Sequence, residues 1–106
     1  MKNVYIYLFE CYNEKESIYK IGITTNIKNR ISNLQTGNAY KIYELYKFHT
    51  KYNRKLETAI HRYYKINRME GEWFNLDEND VNNFLEICER YEKGFDALKE
   101  NPFFKY

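Results

Sequence analysis

Five side chains carry the functional groups that phosphodiester hydrolysis uses, and they are Tyr7, Lys20, Arg30, Glu57 and His61. Such hydrolysis needs a positioned water, a group that accepts its proton, positive charge on the phosphoryl oxygens and, in most enzymes, a metal ion. A phenol or an amine can accept the proton, a guanidinium can bind two phosphoryl oxygens, and a carboxylate can bind a divalent cation. These residues are therefore candidates for one hydrolytic site.

Glu57 is an isolated carboxylate in a basic stretch of the chain. Residues 20–68 contain eleven lysines and arginines and only two acidic residues. Mg²⁺ accepts a single protein carboxylate, because water and substrate oxygens complete its shell, so Glu57 is a candidate metal ligand. His61 follows one helical turn later and can reach the same phosphate or organise the proton acceptor. A plain helical Glu–His pair is the structural alternative.

Tyr7 and Lys20 belong to two predicted strands joined by a polar loop. Residues 3–9 and 18–23 both alternate as strands do, which predicts a β-hairpin. If the hairpin register places Tyr7 opposite Lys20, the two side chains project from one sheet face and flank one water. Taken singly, Tyr7 is better explained as a half-buried sheet aromatic and Lys20 as a solvated strand lysine.

Arg30 belongs to a predicted helix that begins after a cap at Thr25 or Asn26. The apolar stripe of this helix consists of Ile27, Ile31 and Leu34. Packing through this stripe would hold the Arg30 guanidinium at the sheet margin, where its planar donors suit a phosphate. An exposed helix arginine or an ion pair is the alternative.

The order of elements predicts an α+β fold, a small three-stranded antiparallel sheet flanked by helices in the order ββαβαα. Residues 41–49 form the third predicted strand, and residues 53–66 form the next helix. Residues 69–74 make a turn and a short extended piece, in which Trp73 and Phe74 are expected in the core. Asp77 is the expected cap of a last amphipathic helix.

The chain length of 106 residues predicts one main domain. We assign residues 1–92, including the acidic last helix, to this domain. Residues 93–106 are assigned to a C-terminal tail, helical and packed on the domain, whose aromatic end either packs back or mediates self-association. The sequence therefore leaves open whether the protein is a monomer or a homo-oligomer.

The composition excludes several classes of protein. Apolar residues make up 43% of the chain, with 4 Gly and 1 Pro, which excludes disordered and collagen-like proteins. No apolar run approaches the roughly 20 residues of a membrane span, and no secretory signal segment is found. Cys11 and Cys88 have the spacing of neither a disulfide framework nor a zinc site. These features predict a cytoplasmic protein with reduced cysteines and no membrane partner.

Charge is divided unequally along the chain, although the net charge is only +2. In contrast to the basic residues 20–68, residues 69–101 contain ten acidic and three basic residues. This asymmetry favours a polyanion, with nucleic acid as the natural candidate, on one face of the protein. The alternative is two ordinary solvated surfaces that attract each other.

The residues resemble the GIY-YIG nuclease superfamily, specifically its compact branch in phage, viral and bacterial proteins. Tyr5-Ile6-Tyr7 stands in the place of GIY, Lys20-Ile21-Gly22 in the place of YIG, and Arg30 follows eight residues after Gly22. Leu56-Glu57-Thr58-Ala59-Ile60-His61 and Gly71-Glu72-Trp73-Phe74 resemble that branch's E-x-x-(L/I)-H and GEWF signatures. The resemblance covers residues 4–76.

Three positions depart from the family pattern. Tyr5 replaces the first glycine, Lys20 stands where many members keep a tyrosine, and Leu34 occupies a position where some members have a histidine. The lysine leaves open whether Tyr7 or Lys20 accepts the water proton. The late asparagine of the family has no clear match in this sequence.

The resemblance implies a metal-dependent DNA endonuclease with a one-metal mechanism. Glu57 would hold Mg²⁺ or Mn²⁺, Arg30 would stabilise the phosphoryl charge, and Tyr7 would position or deprotonate the water, with help from Lys20 and His61. Glu72 is assigned a structural role ahead of a metal-binding one. DNA contacts are expected at Tyr5, Lys28, Asn38, Arg54, Arg62 and Lys65.

Two other interpretations remain open at this stage. One is a non-catalytic module with a nuclease-like fold that binds nucleic acid or regulates a partner. Such a relative would be expected to lose Arg30 or Glu57, and both are present. The other is a protein-interaction domain that uses the acidic last helix and the aromatic tail, and it predicts no salt-sensitive DNA binding.

Overall fold

The protein folds as an α+β domain with a four-stranded antiparallel sheet, in a computed structural model that describes residues 2–100. The strands lie in the order β3-β1-β2-β4. Their bounds are β1 Val4–Tyr12, β2 Ser17–Thr24, β3 Ile42–Thr50 and β4 Trp73–Phe74. The helices are α1 Ile27–Gln35, α2 Arg54–Tyr63, α3 Glu78–Asn82 and α4 Phe84–Glu100. Within residues 2–100, no helix is both long and apolar enough to cross a bilayer.

The predicted α+β class and antiparallel sheet are confirmed, but the predicted number of three strands is wrong. The fourth strand consists of two residues, with Phe74 paired to Tyr19 and Trp73 paired to Lys20. Two residues are too few to show the alternation by which a strand is recognised in a sequence. This short strand covers only part of the outer edge of β2.

The central strand β1 separates two hydrophobic clusters, because its alternate side chains point to opposite faces. Ile6 and Leu8 pack in one cluster with Leu56 and Ile60 of α2 and with buried residues of α4. On the other face, Tyr7 and Phe9 pack with residues of α1. All four residues from Ile6 to Phe9 are fully buried, so both sheet faces are covered along this part of β1.

Helix ends follow the capping residues of the sequence. The Asn26 side chain accepts a hydrogen bond from the Asn29 N–H at the start of α1, and Asp77 forms a capping box with Asp80 at the start of α3. The helix predicted over residues 53–66 ends earlier, at Tyr63, and a short 3₁₀ turn follows.

The last predicted helix is two helices, because α3 ends before Asn83 and α4 begins at Phe84. Helix α4 then continues without a break across the predicted boundary between residues 92 and 93. The division of the chain at that boundary stays a prediction. The predicted role of the aromatic end falls on residues 101–106, which lie outside the described residues.

Candidate active site

The register of the hairpin determines where Tyr7 and Lys20 lie. Tyr7 pairs with Gly22, and Lys20 pairs with Phe9. The two side chains are therefore diagonal neighbours on the sheet face that α1 covers, and the directly opposite arrangement is wrong. The pairing differs from that arrangement by two residues, and a shift of two preserves the face to which a side chain points.

Gly22 provides the space that the Tyr7 ring occupies. A Cβ atom at position 22 would overlap the Tyr7 hydroxyl and would lie 2.7 Å from its Cζ atom. The Tyr7 ring also stacks on Phe9, with centroids 3.9 Å apart and an interplanar angle of 12°. The ring is therefore confined between its neighbours, with its hydroxyl against Gly22 of β2.

Arg30 donates a hydrogen bond from Nε to the Tyr7 hydroxyl oxygen over 3.0 Å. The packing of Ile27 and Ile31 against the second cluster positions α1 for this contact. Burial raises the pKa of the Tyr7 phenol, and the nearby Arg30 guanidinium only partly opposes this effect. The phenol is thus held in its neutral form and accepts a hydrogen bond from a permanent cation.

Glu72 lies between the two cations of the site, a position that the sequence analysis did not predict. Its Oε1 atom is 3.7 Å from Lys20 Nζ and 3.8 Å from Arg30 Nη2. This oxygen is buried and has no hydrogen-bond partner among residues 2–100. Gly71, with a φ of +61°, forms the turn that precedes it. No local sequence pattern predicts this position, because it depends on the pairing of the two-residue strand β4.

Lys20 is a nearly buried lysine in this cluster. Its ammonium lies 4.9 Å from the centroid of the Trp73 ring, in a geometry that favours a cation. Burial lowers the pKa of Lys20, and Glu72 opposes this effect by favouring the charged form. The pKa of Lys20 is lowered on balance, so a larger fraction of its amine is uncharged at a given pH than at an exposed lysine. An uncharged amine can accept a proton.

His61 contacts the outer edge of β2, where β4 ends. Its Nε2 atom lies 2.8 Å from the carbonyl oxygen of Ile21. The backbone N–H of Ile21 donates to the Glu72 carbonyl oxygen over 3.2 Å. At this edge, Glu72 therefore binds the N–H of Ile21, and the imidazole of His61 binds its carbonyl oxygen. A carbonyl oxygen only accepts hydrogen bonds, so Nε2 carries a proton, and Nδ1 forms no hydrogen bond with residues 2–100.

Glu57 is half-buried one turn before His61 on α2. Burial is the main cause of its raised pKa, and Glu72 raises it further while His61, Arg54 and Arg30 oppose the change. Its charge also affects the pKa of the Tyr7 phenol, which places Glu57 within electrostatic reach of the cluster.

The donor set of Glu57 suits a hard divalent cation. Within residues 2–100, its carboxylate forms neither an ion pair nor a side-chain hydrogen bond. Both carboxylate oxygens are therefore free to bind a divalent cation. In the same range, no group of three or more His, Cys, Asp and Glu side chains is arranged to hold a metal ion. Glu57 would therefore be one protein ligand among water and substrate oxygens.

The residues expected to contact DNA lie in several places. Arg62 and Lys65 line a shallow basic depression beside His61, together with Arg68, which the sequence analysis missed. Arg54 and Lys28 are exposed on α2 and α1. The Asn38 side chain accepts a hydrogen bond from the Tyr40 N–H in the turn after α1, which is a local role.

Tyr5 forms an aromatic and cationic patch with two residues of β3. It pairs with His49, and the two ring centroids are 5.4 Å apart. The Lys47 ammonium lies 5.4 Å from the centroid of the Tyr5 ring, and Lys47 itself pairs with Tyr7. This patch, consisting of Tyr5, Lys47 and His49, is called the β3 patch below. It borders Tyr7 on the same sheet face.

Comparison with known proteins gives one match. The family model of the T5orf172 domain matches residues 4–89. This domain occurs in nuclease-like proteins of phages and bacteria. Searches of curated proteins and of solved structures found no match. The matched segment contains the whole cluster, which consists of Tyr7, Lys20, Arg30, Glu57, His61 and Glu72.

Proposed function

Because the chain belongs to the T5orf172 domain family, we propose that it is a metal-dependent DNA endonuclease that uses a GIY-YIG-type, one-metal mechanism. The family supports a nuclease-like, DNA-binding module. The catalytic chemistry is inferred from the site. One observation carries it: Arg30 bonds to the buried Tyr7 hydroxyl while Lys20 and Arg30 converge on one point at the edge of β2.

The two cations supply the charge stabilisation that phosphoryl transfer requires. Lys20 Nζ and Arg30 Nη2 both lie within 4 Å of the Glu72 carboxylate oxygen. An anionic oxygen can therefore contact the two cations at once. A phosphoryl oxygen resembles a carboxylate oxygen in charge and size. In a partly buried site these fixed cations stabilise developing negative charge more strongly than water does.

Lys20 is the better candidate for the group that accepts the water proton. The pKa of Tyr7 is raised by burial, so its phenolate is scarce at neutral pH. The pKa of Lys20 is lowered by the same cause, which increases the fraction of neutral amine. Tyr7 then positions the water through its hydroxyl, and Arg30 fixes the orientation of that hydroxyl.

Glu57 is the residue that would hold Mg²⁺ or Mn²⁺. A bound divalent cation supplies Lewis-acid stabilisation of the leaving oxygen. The raised pKa of Glu57 means that the buried carboxylate is poorly solvated, and a cation would relieve that cost. His61, with Nδ1 free, would hydrogen-bond a phosphate oxygen on the same side.

The DNA strand would pass along the basic surface on both sides of this cluster. Arg62, Lys65 and Arg68 continue from His61 along α2 and the turn that follows. The β3 patch continues from Tyr7 in the other direction. Lysines and arginines on this surface would contact DNA phosphates, which are the same in every DNA sequence. DNA binding would therefore depend strongly on salt concentration.

The test is cleavage of plasmid and branched DNA with and without Mg²⁺ or Mn²⁺. We expect Glu57→Ala and Arg30→Ala to lower the cleavage rate by about a hundredfold or more. Glu44→Ala is the matched control for Glu57, because it removes the other, exposed carboxylate of the basic segment. Arg30→Lys keeps the charge but loses the planar fork and is expected to recover only part of the rate.

Cleavage without a divalent cation, or cleavage that neither substitution lowers, would overturn the proposal. A protein that binds DNA in a salt-dependent manner but never cleaves it would instead be the non-catalytic nucleic-acid-binding module. Absence of both cleavage and salt-dependent binding would favour a domain that binds other proteins.

A further inference from the structure

We propose that Glu72 occupies the seat of a phosphoryl oxygen in the free protein, competes with phosphate for Lys20 and Arg30, and so determines how tightly phosphates bind. The seat, called the phosphate seat below, is the point between Lys20 Nζ and Arg30 Nη2. The inference rests on the proposed function, because it concerns the substrate phosphate of the same site. It gives the Glu72 side chain a role in substrate affinity.

The first support is the position of the Glu72 carboxylate. Its Oε1 atom is nearly equidistant from the two cations, at 3.7 Å from Lys20 Nζ and 3.8 Å from Arg30 Nη2. A phosphate oxygen that contacts both cations has to enter the same space. Phosphate and Glu72 therefore cannot both occupy the phosphate seat.

The second support is the poor bonding of that oxygen. Oε1 is buried but makes no hydrogen bond within the part of the chain that the structure describes, and both cations are beyond hydrogen-bond distance. A buried carboxylate oxygen without a donor loses its hydration and gains only the longer-range attraction of the cations. A residue that served only to fix Lys20 and Arg30 would be expected to form short, charge-assisted hydrogen bonds.

The third support is that the side chain can leave without disturbing the fold. The Glu72 carbonyl oxygen accepts the Ile21 N–H over 3.2 Å, so the backbone is anchored to β2. Its side chain is 35% exposed, which gives the carboxylate a direct path to solvent. A rotation of the side chain alone would empty the phosphate seat.

The experiment measures the binding of inorganic phosphate by isothermal titration calorimetry, with neither metal nor DNA present. We expect Glu72→Gln to bind phosphate about tenfold more tightly than the unmodified protein, equivalent to about 1.4 kcal/mol. Glu70→Gln is the matched control, because it removes an equal charge from an exposed position two residues away. Its effect should stay within about twofold, since exposed charges are screened by salt.

Further variants identify the source of the increased phosphate affinity of Glu72→Gln. Adding Arg30→Ala to Glu72→Gln should abolish the tighter binding, because one cation of the phosphate seat is lost. Glu72→Asp keeps the charge but withdraws the carboxylate by one methylene, so its affinity should lie between those of the unmodified protein and Glu72→Gln. Circular dichroism of each variant verifies folding, and Glu72→Asp decides the question if Glu72→Gln does not fold.

Three results would overturn the inference: equal affinities for Glu72→Gln and Glu70→Gln, weaker binding by Glu72→Gln, or no phosphate binding by any folded Glu72 variant. Weaker binding would make Glu72 a positioning residue for the two cations. Because no cleavage is measured, these results are independent of the nuclease proposal, which fails only in the DNA cleavage assay.

Discussion

The Arg30 guanidinium donates from Nε to the Tyr7 hydroxyl over 3.0 Å, joining two residues that are 23 positions apart in the sequence. Tyr7 is fully buried in the central strand, and Arg30 lies on the helix that covers the same sheet face. A fixed cation is thereby bonded to a phenol that keeps its proton. This pair orients both the water and the phosphate in the proposed reaction.

Tyr7→Phe removes the hydroxyl and leaves the ring packing in place. We expect the cleavage rate to fall by about a hundredfold, since the hydroxyl that positions the attacking water is lost. Loss of one hydrogen bond should cost only about 1 kcal/mol of unfolding free energy. Tyr12→Phe is the control, because Tyr12 is on the same strand but 54% exposed. Equal rates for the two variants would exclude Tyr7 from the reaction.

Lys20 should determine the pH dependence of cleavage. Burial lowers its pKa, so the rate should rise with pH and level off below the pH at which an ordinary lysine titrates. Glu72 opposes that lowering, so Glu72→Gln should move the rising limb to lower pH. Single-turnover cleavage across a pH series measures both effects. A limb that survives in Lys20→Met but is lost in Tyr7→Phe would make Tyr7 the proton acceptor.

Glu57 should reduce the stability of the metal-free protein at neutral pH. Its pKa is raised on folding, mainly by burial, so the folded protein binds its proton more tightly than the unfolded chain does. Stability from this group therefore falls as pH rises from the unfolded to the folded pKa. We expect Glu57→Gln to raise the urea midpoint at neutral pH and to have no effect below about pH 3, where both states are protonated.

Addition of Mg²⁺ separates this stability effect from metal binding. A ligand that binds only the folded state stabilises it, so the midpoint of the unmodified protein should rise with Mg²⁺ concentration. The midpoint of Glu57→Gln should not respond. A response of equal size in both proteins would place the cation elsewhere.

The β3 patch should contribute to DNA affinity. Lys47→Ala removes a cation that lies 5.4 Å from the Tyr5 ring centroid beside the cluster, and it should weaken binding and reduce the salt slope by about one unit. Lys41→Ala is the control, because it breaks a similar pair at the opposite end of β3, where the Lys41 ammonium lies 5.3 Å from the centroid of the Tyr43 ring. Fluorescence anisotropy over a salt series compares them, and identical slopes would exclude the β3 patch from the interface.

The sequence predicted the elements better than their contacts. Alternation in β1 and the apolar stripe of α1 are local patterns, and the structure contains both elements. The register of the hairpin depends on its loop and on the packing of both faces, so the sequence predicted Tyr7 and Lys20 on one face only on the condition that they pair, whereas Tyr7 pairs with Gly22. The structural role assigned to Glu72 stays a prediction, and its place between Lys20 and Arg30 was missed because that place depends on the pairing of a two-residue strand. No local pattern encodes such a contact.

Gly22→Ala tests whether the Tyr7 ring has the position that the site requires. The added Cβ would overlap the Tyr7 hydroxyl and lie 3.1 Å from Glu72 Oε1. The ring is fully buried and stacks on Phe9, so a shift of the ring would disturb this packing. We expect a loss of about 1–3 kcal/mol in unfolding free energy, typical of overpacking, together with loss of cleavage.

Gly94→Ala is the matched control, because it adds the same methyl group to a glycine within α4. No heavy atom of the described residues, 2–100, lies within 4 Å of its Cβ position, and replacement of a mid-helix glycine by alanine should stabilise the protein by about 0.5–1 kcal/mol. Urea unfolding of both variants should therefore give changes of opposite sign. If Gly22→Ala unfolds like the unmodified protein and still cleaves DNA, the Tyr7 hydroxyl does not act from the edge of β2.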